Sequence, residues 1–305
     1  MSDANTQLQW TDEQWNRVRQ VIYEEARRAR VAGNVLPLYG PLAPDATYVT
    51  KEQLNAPDHD DAPFGKAPGF TVSDSDTLKL TTLQVKVYLR GAQVADPQLT
   101  SALIAFRRAA NVLARLEDKI VFNGQSDAGK GPPAEVDSTL WQVVGGQKND
   151  GLLLPPDERR VVGVAPGPKG EIGSGNELVG SISEAIGLLE SKYHLGPFAC
   201  ILDQKYFRTA TTPTDGSQVM PQDRILPFLG GGPLLRSSAL PEHRGLVIAL
   251  GGAPIDLVVA TDISVNFLQV TTDPWYVFRV YEKIVLRLNQ KDAIVALEPS
   301  KRKAT

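Results

Sequence analysis

Residues 96–124, DPQLTSALIAFRRAANVLARLEDKIVFNG, decide how the rest of the chain is read. Asp96 followed by Pro97 is a helix start. The carboxylate can cap, and proline lacks an N–H that the first helical position does not need. Leu99, Leu103, Phe106, Ala110, Leu113, Glu117 and Ile120 then recur at helical spacing as far as Phe122, and Asn123-Gly124 stops the run. At 1.5 Å per residue the predicted helix is about 40 Å long. It is the longest element in the chain and reads as a structural spine.

Upstream of the spine, Leu78 to Leu89 alternates apolar and polar residues with one slip, the pattern of a half-buried strand. It is preceded by Pro44 to Gly69, rich in proline, aspartate and glycine. Between Lys51 and Leu80 six acids face three lysines, an excess equal to the net charge of −3 on the whole chain. A long polar excursion that returns on an alternating strand predicts a projecting arm, because structureless loops of this length usually have a function. Asn34 to Leu42 is a short apolar run closed by Gly40-Pro41 and predicts a strand and turn. Before it, Thr11-Asp12-Glu13-Gln14 is a capping box, and Trp15, Val18, Ile22, Ala26 and Ala29 follow at helical spacing.

Downstream, Gly124 to Gly175 is irregular, with short strands predicted at Trp141–Val144 and Arg160–Val164. A helix is predicted from about Asn176 to Tyr193, a buried strand at Phe198–Leu202, and a helix capped by Asp203. Pro221 to Leu229 reads as helical. Strands are expected at Gly245–Leu250, Ile255–Ala260, Val265–Val270, Trp275–Arg287 and Ala293–Glu298. Helices and strands interleave without a βαβ rhythm, so the expected class is α+β.

The 305 residues include 32 Lys plus Arg, 35 Asp plus Glu, 42% hydrophobic residues and one cysteine. That composition is globular. It excludes a disulfide framework and a multi-thiolate metal site, and it argues against binding nucleic acid through bulk positive charge. Met1 to Trp10 has neither a basic nor an apolar run, and Gly245 to Ala260 is too short to span a bilayer. The expectation is a cytoplasmic protein without membrane or nucleic-acid partners.

Motifs for chemistry are sparse. Gly124 to Gly131 approaches a phosphate-binding loop, but Gly131 stands where Ser or Thr would hold magnesium, and the loop follows a helix rather than a strand. Asp58-His59-Asp60-Asp61 reads as a solvated acidic patch rather than a metal cluster. Cys200 lies in an apolar run as a buried thiol, and His194 has no visible partner. No catalytic residue, metal ligand or cofactor site is nominated.

Several segments, in order, resemble the encapsulin shell proteins, which share the fold of tailed-phage major capsid proteins. They are Leu8-x-Trp-Thr-Asp-Glu-Gln-Trp15, Tyr39-Gly-Pro-Leu42, Leu89-Arg-Gly91, Leu116-Glu-Asp-Lys-Ile-Val-Phe-Asn-Gly124, Gly196-Pro-Phe-Ala199, Asp203-x-x-Tyr206-Phe207, Thr261-Asp-Ile-Ser264 and Asp292 to Glu298. The resemblance implies an N-terminal helix and first strand (1–43) and an extended arm (44–88). It implies a peripheral domain (89–177 and 258–305, with an insertion at about 131–175) and an axial domain (178–257). It also implies a self-assembling icosahedral shell around a cargo enzyme, such as a ferritin-like iron oxidase or a peroxidase, held by a C-terminal targeting peptide. The positions matching the peptide groove are Trp15, Ile22, Asn34, Leu36, Leu38 and Phe267, which equally suit plain core packing. The polar stretch Thr211, Thr212, Thr214, Asp215, Gly216, Ser217 and Gln218 matches a loop that narrows a five-fold pore. Leu80 to Val87 has no aromatic residue, so no flavin is expected. The alternatives are a phage or prophage capsid protein that packages DNA, and an α+β enzyme whose site is not visible.

Overall fold

The computed structural model describes residues 8–55, 71–133, 139–154, 160–165, 174–214 and 219–300. In chain order the elements are α1 (Asp12–Ala29), α2 (Ala32–Val35), β1 (Leu38–Tyr39), β2 (Tyr48–Asn55), β3 (Thr71–Lys79), β4 (Thr81–Arg90), α3 (Gly91–Val94), α4 (Thr100–Asn123), β5 (Gln142–Gly145), β6 (Arg160–Val164), α5 (Gly175–Glu190), β7 (Phe198–Leu202), α6 (Gln204–Ala210), α7 (Pro221–Ile225), β8 (Leu234–Arg236), β9 (Gly245–Ala249), β10 (Ile255–Val270), β11 (Trp275–Leu288) and β12 (Ile294–Pro299). One five-stranded sheet has the order β1-β10-β11-β4-β5, a second has β6-β12-β9-β7-β8, and β2-β3 form a separate ribbon. The class is α+β, as the sequence implies.

The spine α4 has 24 residues, about 36 Å. It starts later than predicted. Asp96 accepts from the N–H groups of Gln98 and Thr100, both at 2.9 Å, while Leu99 turns left-handed at φ 54°. The aspartate therefore caps a turn that feeds the helix. Gly124, at φ 82°, ends it, and a Cβ there would run into the Asn149 carbonyl. The loop after Gly124 thus continues from a helix end, not from a strand as a phosphate loop would.

α1 is capped as its sequence predicts: Gln14 N donates to Thr11 Oγ1 at 3.3 Å and Thr11 N to Gln14 Oε1 at 2.9 Å. The run expected to be a strand from Asn34 is instead the turn α2 followed by the two-residue β1. Asp118 accepts the N–H groups of Val31 and Ala32, and Asn34 Nδ2 donates to the carbonyls of Arg27 and Arg30. These bonds close the chain into a turn where the apolar run predicted a strand. The slip in the Leu78–Leu89 alternation, at Thr81-Thr82, directly follows the break between β3 and β4 at Leu80. The two strands expected over 255–270 are one strand, β10, whose register against β11 shifts at bulges near Thr261 and Phe267.

β11 shows how the first sheet divides its faces. Tyr276, Phe278, Val280, Ile284 and Leu286 point, with period two, into the main core beneath α1 and α4. Val285 points the other way, into a small second core with Leu80, Val258 and Ala260, against which Leu42, Ala46, Val49 and Leu78 pack. That second core is the root of the ribbon. Leu80 N donates to Thr47 O at 2.9 Å, closing the ribbon's base. Lys283 Nζ donates to Pro44 O at 3.2 Å. Arg287 grips Asp256 through Nε and Nη2 and donates from Nη1 to Thr50 O. Above the root, β3 is mostly exposed, and Val72 is 62% accessible.

In the second sheet, α5 packs over β6, β12 and β9. Ser174 caps α5. The closing strand β12 pairs with β9 and β6. β6 itself comes from the stretch read as an insertion. Cys200 is fully buried, and burial pushes its thiol up. His194 does have a partner: its Nε2 lies 3.0 Å from Asp292 Oδ1. Asp58 to Asp61 lie outside the described residues. Among the described residues no group of three His, Cys, Asp or Glu could hold a metal ion, and no helix is long and apolar enough to cross a membrane.

Candidate functional site

The aromatic residues of the N-terminal segment meet those of the first sheet around Phe278. Trp10 stacks on Phe278 with centroids 4.9 Å apart, and Trp15 meets Trp10 edge-on at 5.1 Å. Phe106 and Phe267 each lie 5.3 Å from Phe278, and Phe267 lies 6.2 Å from Tyr276. Edge-on and offset arrangements favour each pair beyond simple burial. Trp10, just before the cap, anchors the segment by donating Nε1–H to Val94 O at 2.9 Å. Trp10 precedes the helical repeat of α1, so periodicity in the sequence does not place it in the cluster.

The six residues matched to a peptide groove fall into three groups. Trp15 and Phe267 are half-buried and gather at one end of the sheet through Phe278. Ile22 and Leu36 are buried, at 1% and 4% exposure, so the chain's own atoms already cover them. Leu38 is exposed on β1 and pairs with Leu257, ten residues along β10 from Phe267, or about 30 Å away. Asn34 is exposed, but its amide is engaged in capping α1. Because β1 covers only Leu257 and Val258, the outer edge of β10 from Thr261 to Val270 has no partner strand among the described residues.

A cluster of charges fixes α1 to the spine behind this strip. Arg30 Nη1 lies 3.1 Å from Asp262 Oδ1 and 3.8 Å from Glu117 Oε2. Glu117 and Glu282 are each 1% exposed and lie within hydrogen-bonding reach of one another. The Oε1 atom of each lacks a hydrogen-bond partner. A proton shared between the two carboxyls would supply a donor there. Burial pushes Glu117 up to about 8; Arg30 pulls it down and Asp118 adds to the rise. Burial, and then Glu117, raises Glu282 well above the carboxylate range. Burial also lifts Asp118, up to about 7, against the N–H groups it accepts from Ala32 and Val31. Gly33 sits tightly at this junction: a Cβ there would lie 2.7 Å from Glu117 Oε1, so a larger residue would make the Glu117 carboxyl shift. A signal existed in the sequence: Glu117 occupies the apolar stripe of the spine, and Glu282 the apolar face of its strand.

The residues matched to a pore loop lie beyond α6. Thr211 and Thr212 donate their hydroxyls back to the carbonyls of Phe207 and Arg208. Thr214 packs beside Gly175. Asp215, Gly216, Ser217 and Gln218 lie outside the described residues.

Comparison with known proteins bears on this arrangement of spine, ribbon and two sheets. The chain is 24% identical over 293 residues to the type 1 encapsulin shell protein EncA of Myxococcus xanthus, an alignment spanning 94% of this chain and 93% of that protein. A virus-like particle from Pyrococcus furiosus superposes with a TM-score of 0.64 at 16% identity, covering 93% of this chain and 99% of that one. The capsid of Myoviridae phage XM1 gives 0.58 at 15% identity, with 88% and 90% covered. The last two show a shared fold, that of tailed-phage capsids and encapsulins. The family model described as encapsulating protein for peroxidase matches residues 5–131 and 162–285, and the chain therefore belongs to the encapsulin shell-protein family.

Proposed function

We propose that this chain is the tile of a closed icosahedral compartment in the cytoplasm, and that the compartment encloses an enzyme delivered by a C-terminal targeting peptide. The observation that carries the shell reading is the ribbon: a two-stranded element, exposed above its root, that pairs with no other strand among the described residues. An isolated two-stranded ribbon is marginal in water and gains stability by covering a neighbour. Exchanged arms also let modest contacts add up around a shell.

The cargo site is the strip between Trp15 and Phe267 beside the open edge of β10. An extended peptide can add to a strand edge with main-chain hydrogen bonds and bury leucine or isoleucine side chains in adjoining apolar pockets. Ile22 and Leu36 belong to the packed core rather than to the peptide's contact surface. The enclosed chemistry is oxidative, a ferritin-like iron oxidase or a peroxidase, while the shell supplies containment. The pore matched to Thr211–Gln218 sets the aperture for ions and small substrates.

The test is to purify particles from the native source and identify the protein inside by mass spectrometry. Its C-terminal tail, fused to a fluorescent protein, should be captured by the wild-type shell and at least tenfold less by Trp15→Ala or Phe267→Ala. Equal capture by the variants would overturn the groove. Particles filled with DNA would overturn the cargo reading in favour of a capsid.

A further inference from the structure

Beside α1, on the flank away from the aromatic strip, three elements bring arginines to one open cleft of about 410 Å3: Arg28 from α1, Arg115 from α4 and Arg236 from β8. All three are exposed, and none has an ion pair or side-chain hydrogen bond among the described residues. The two acids in the lining do not neutralise them. Glu25 accepts from Asn111 Nδ2 at 3.1 Å. Asp118 is buried and spends its oxygens on the N–H groups of Val31 and Ala32. An adjoining cleft of about 390 Å3 shares Arg115 and Asp118 and adds Arg108.

Charges of one sign from three separate elements raise the local concentration of the opposite ion. Guanidinium forks match the oxygens of phosphate bidentately, and arginine stays charged at any pH of interest. No aromatic ring lines the central cleft, so nothing there stacks a base. We infer that the cleft of Arg28, Arg115 and Arg236 is a binding site for phosphate groups, of the size and charge of a short inorganic phosphate chain. It would give the shell an anion site distinct from its cargo strip, whichever enzyme is enclosed.

The test uses the protein as it assembles. Inorganic triphosphate is titrated by calorimetry into wild type, into the Arg115→Gln/Arg236→Gln double variant and into Arg107→Gln. Arg107 is exposed on the spine but lines neither cleft. The expected result is saturable binding near one per chain, weakened at least tenfold in the double variant and unchanged in Arg107→Gln. An independent reading needs no variant. Phenylglyoxal should modify Arg28, Arg115 and Arg236 in wild type, and triphosphate should protect these three but not Arg107. Absence of saturable binding, or equal weakening by Arg107→Gln, would overturn the site. Tighter binding of a trinucleotide than of triphosphate would overturn it in favour of nucleic acid, for which Trp141 in the adjoining cleft would offer a stacking face.

Discussion

The two faces of the first sheet hold opposite kinds of structure. On one, Phe278 is fully buried amid Trp10, Trp15, Phe106 and Phe267, and α1 and the spine close over the strands. That face is closed within one subunit except at the half-buried strip of Trp15 and Phe267. On the other, a few side chains around Leu80 and Val285, with Arg287 and Lys283, root a ribbon whose upper length is exposed. The first face spends most of its apolar surface on the subunit, and the second leaves the ribbon's surface exposed, the surface proposed above to cover a neighbour. A tile needs both, a rigid body to hold curvature and an arm that is finished only by assembly.

Removing the arm should break assembly without breaking the body, and this is the largest effect expected. Thr47 and Leu80 are joined by a backbone hydrogen bond of 2.9 Å, so residues 48–79 can be replaced by a short glycine linker. Light scattering should find no closed shells, while circular dichroism keeps the content of the two sheets. Phe278→Ala should do the reverse and damage the body first. Truncating a buried phenylalanine costs about 3–5 kcal/mol, readable as a lower denaturation midpoint in urea.

Arg287→Met tests the joint between the two regions. It leaves Asp256, 5% exposed, buried without its cation. Breaking such a pair from one side costs about 3 kcal/mol or more. The Asp256→Leu/Arg287→Met double variant should recover most of that stability but not the bond to Thr50 O, so ribbon protection in hydrogen exchange should stay low.

The smallest effect expected is at the carboxyl pair. Glu117 and Glu282 have folded pKa values raised above the unfolded ones, to about 8 for Glu117. Folding therefore takes up protons between the unfolded and folded values. Their contribution is fully present below the unfolded pKa and is lost as pH rises through about 8. The melting temperature should fall from pH 5 to pH 8 and then level off. Glu282→Gln should flatten that fall, with a shift of about 2 °C for each kcal/mol in a chain this size. A wild-type melting temperature that rises over the same interval would contradict the shared proton.

Local signals in the sequence were legible where the structure is local. The capping box at Thr11 and Gln14, the apolar stripe of the spine, the short strands at 142–145 and 160–164 and the Asp203 cap all appear in the structure. The ribbon β2–β3 falls in the stretch that the sequence marks by a charge imbalance, and the alternating strand after it continues as β4 of the first sheet. What escaped was set by distant partners. Asp118 turns residues 31–35 into a helical turn from across the core, and β12 joins a sheet that its own alternation cannot specify. The buried acids at 117 and 282 become a pair only when the spine crosses β11. Within the candidate groove, residue type nominated Trp15 and Phe267 alongside Ile22 and Leu36, but only packing separates the half-buried pair from the covered one.

The central claim is that one chain, with its arm, builds a closed shell. Negative-stain microscopy of the purified protein, with mass photometry of the same sample, tests it most directly. Uniform hollow particles are expected, with a mass that is a whole multiple of 33.1 kDa and a subunit number allowed by icosahedral symmetry. A lone monomer at every concentration and salt condition, with the intact arm in place, would contradict it.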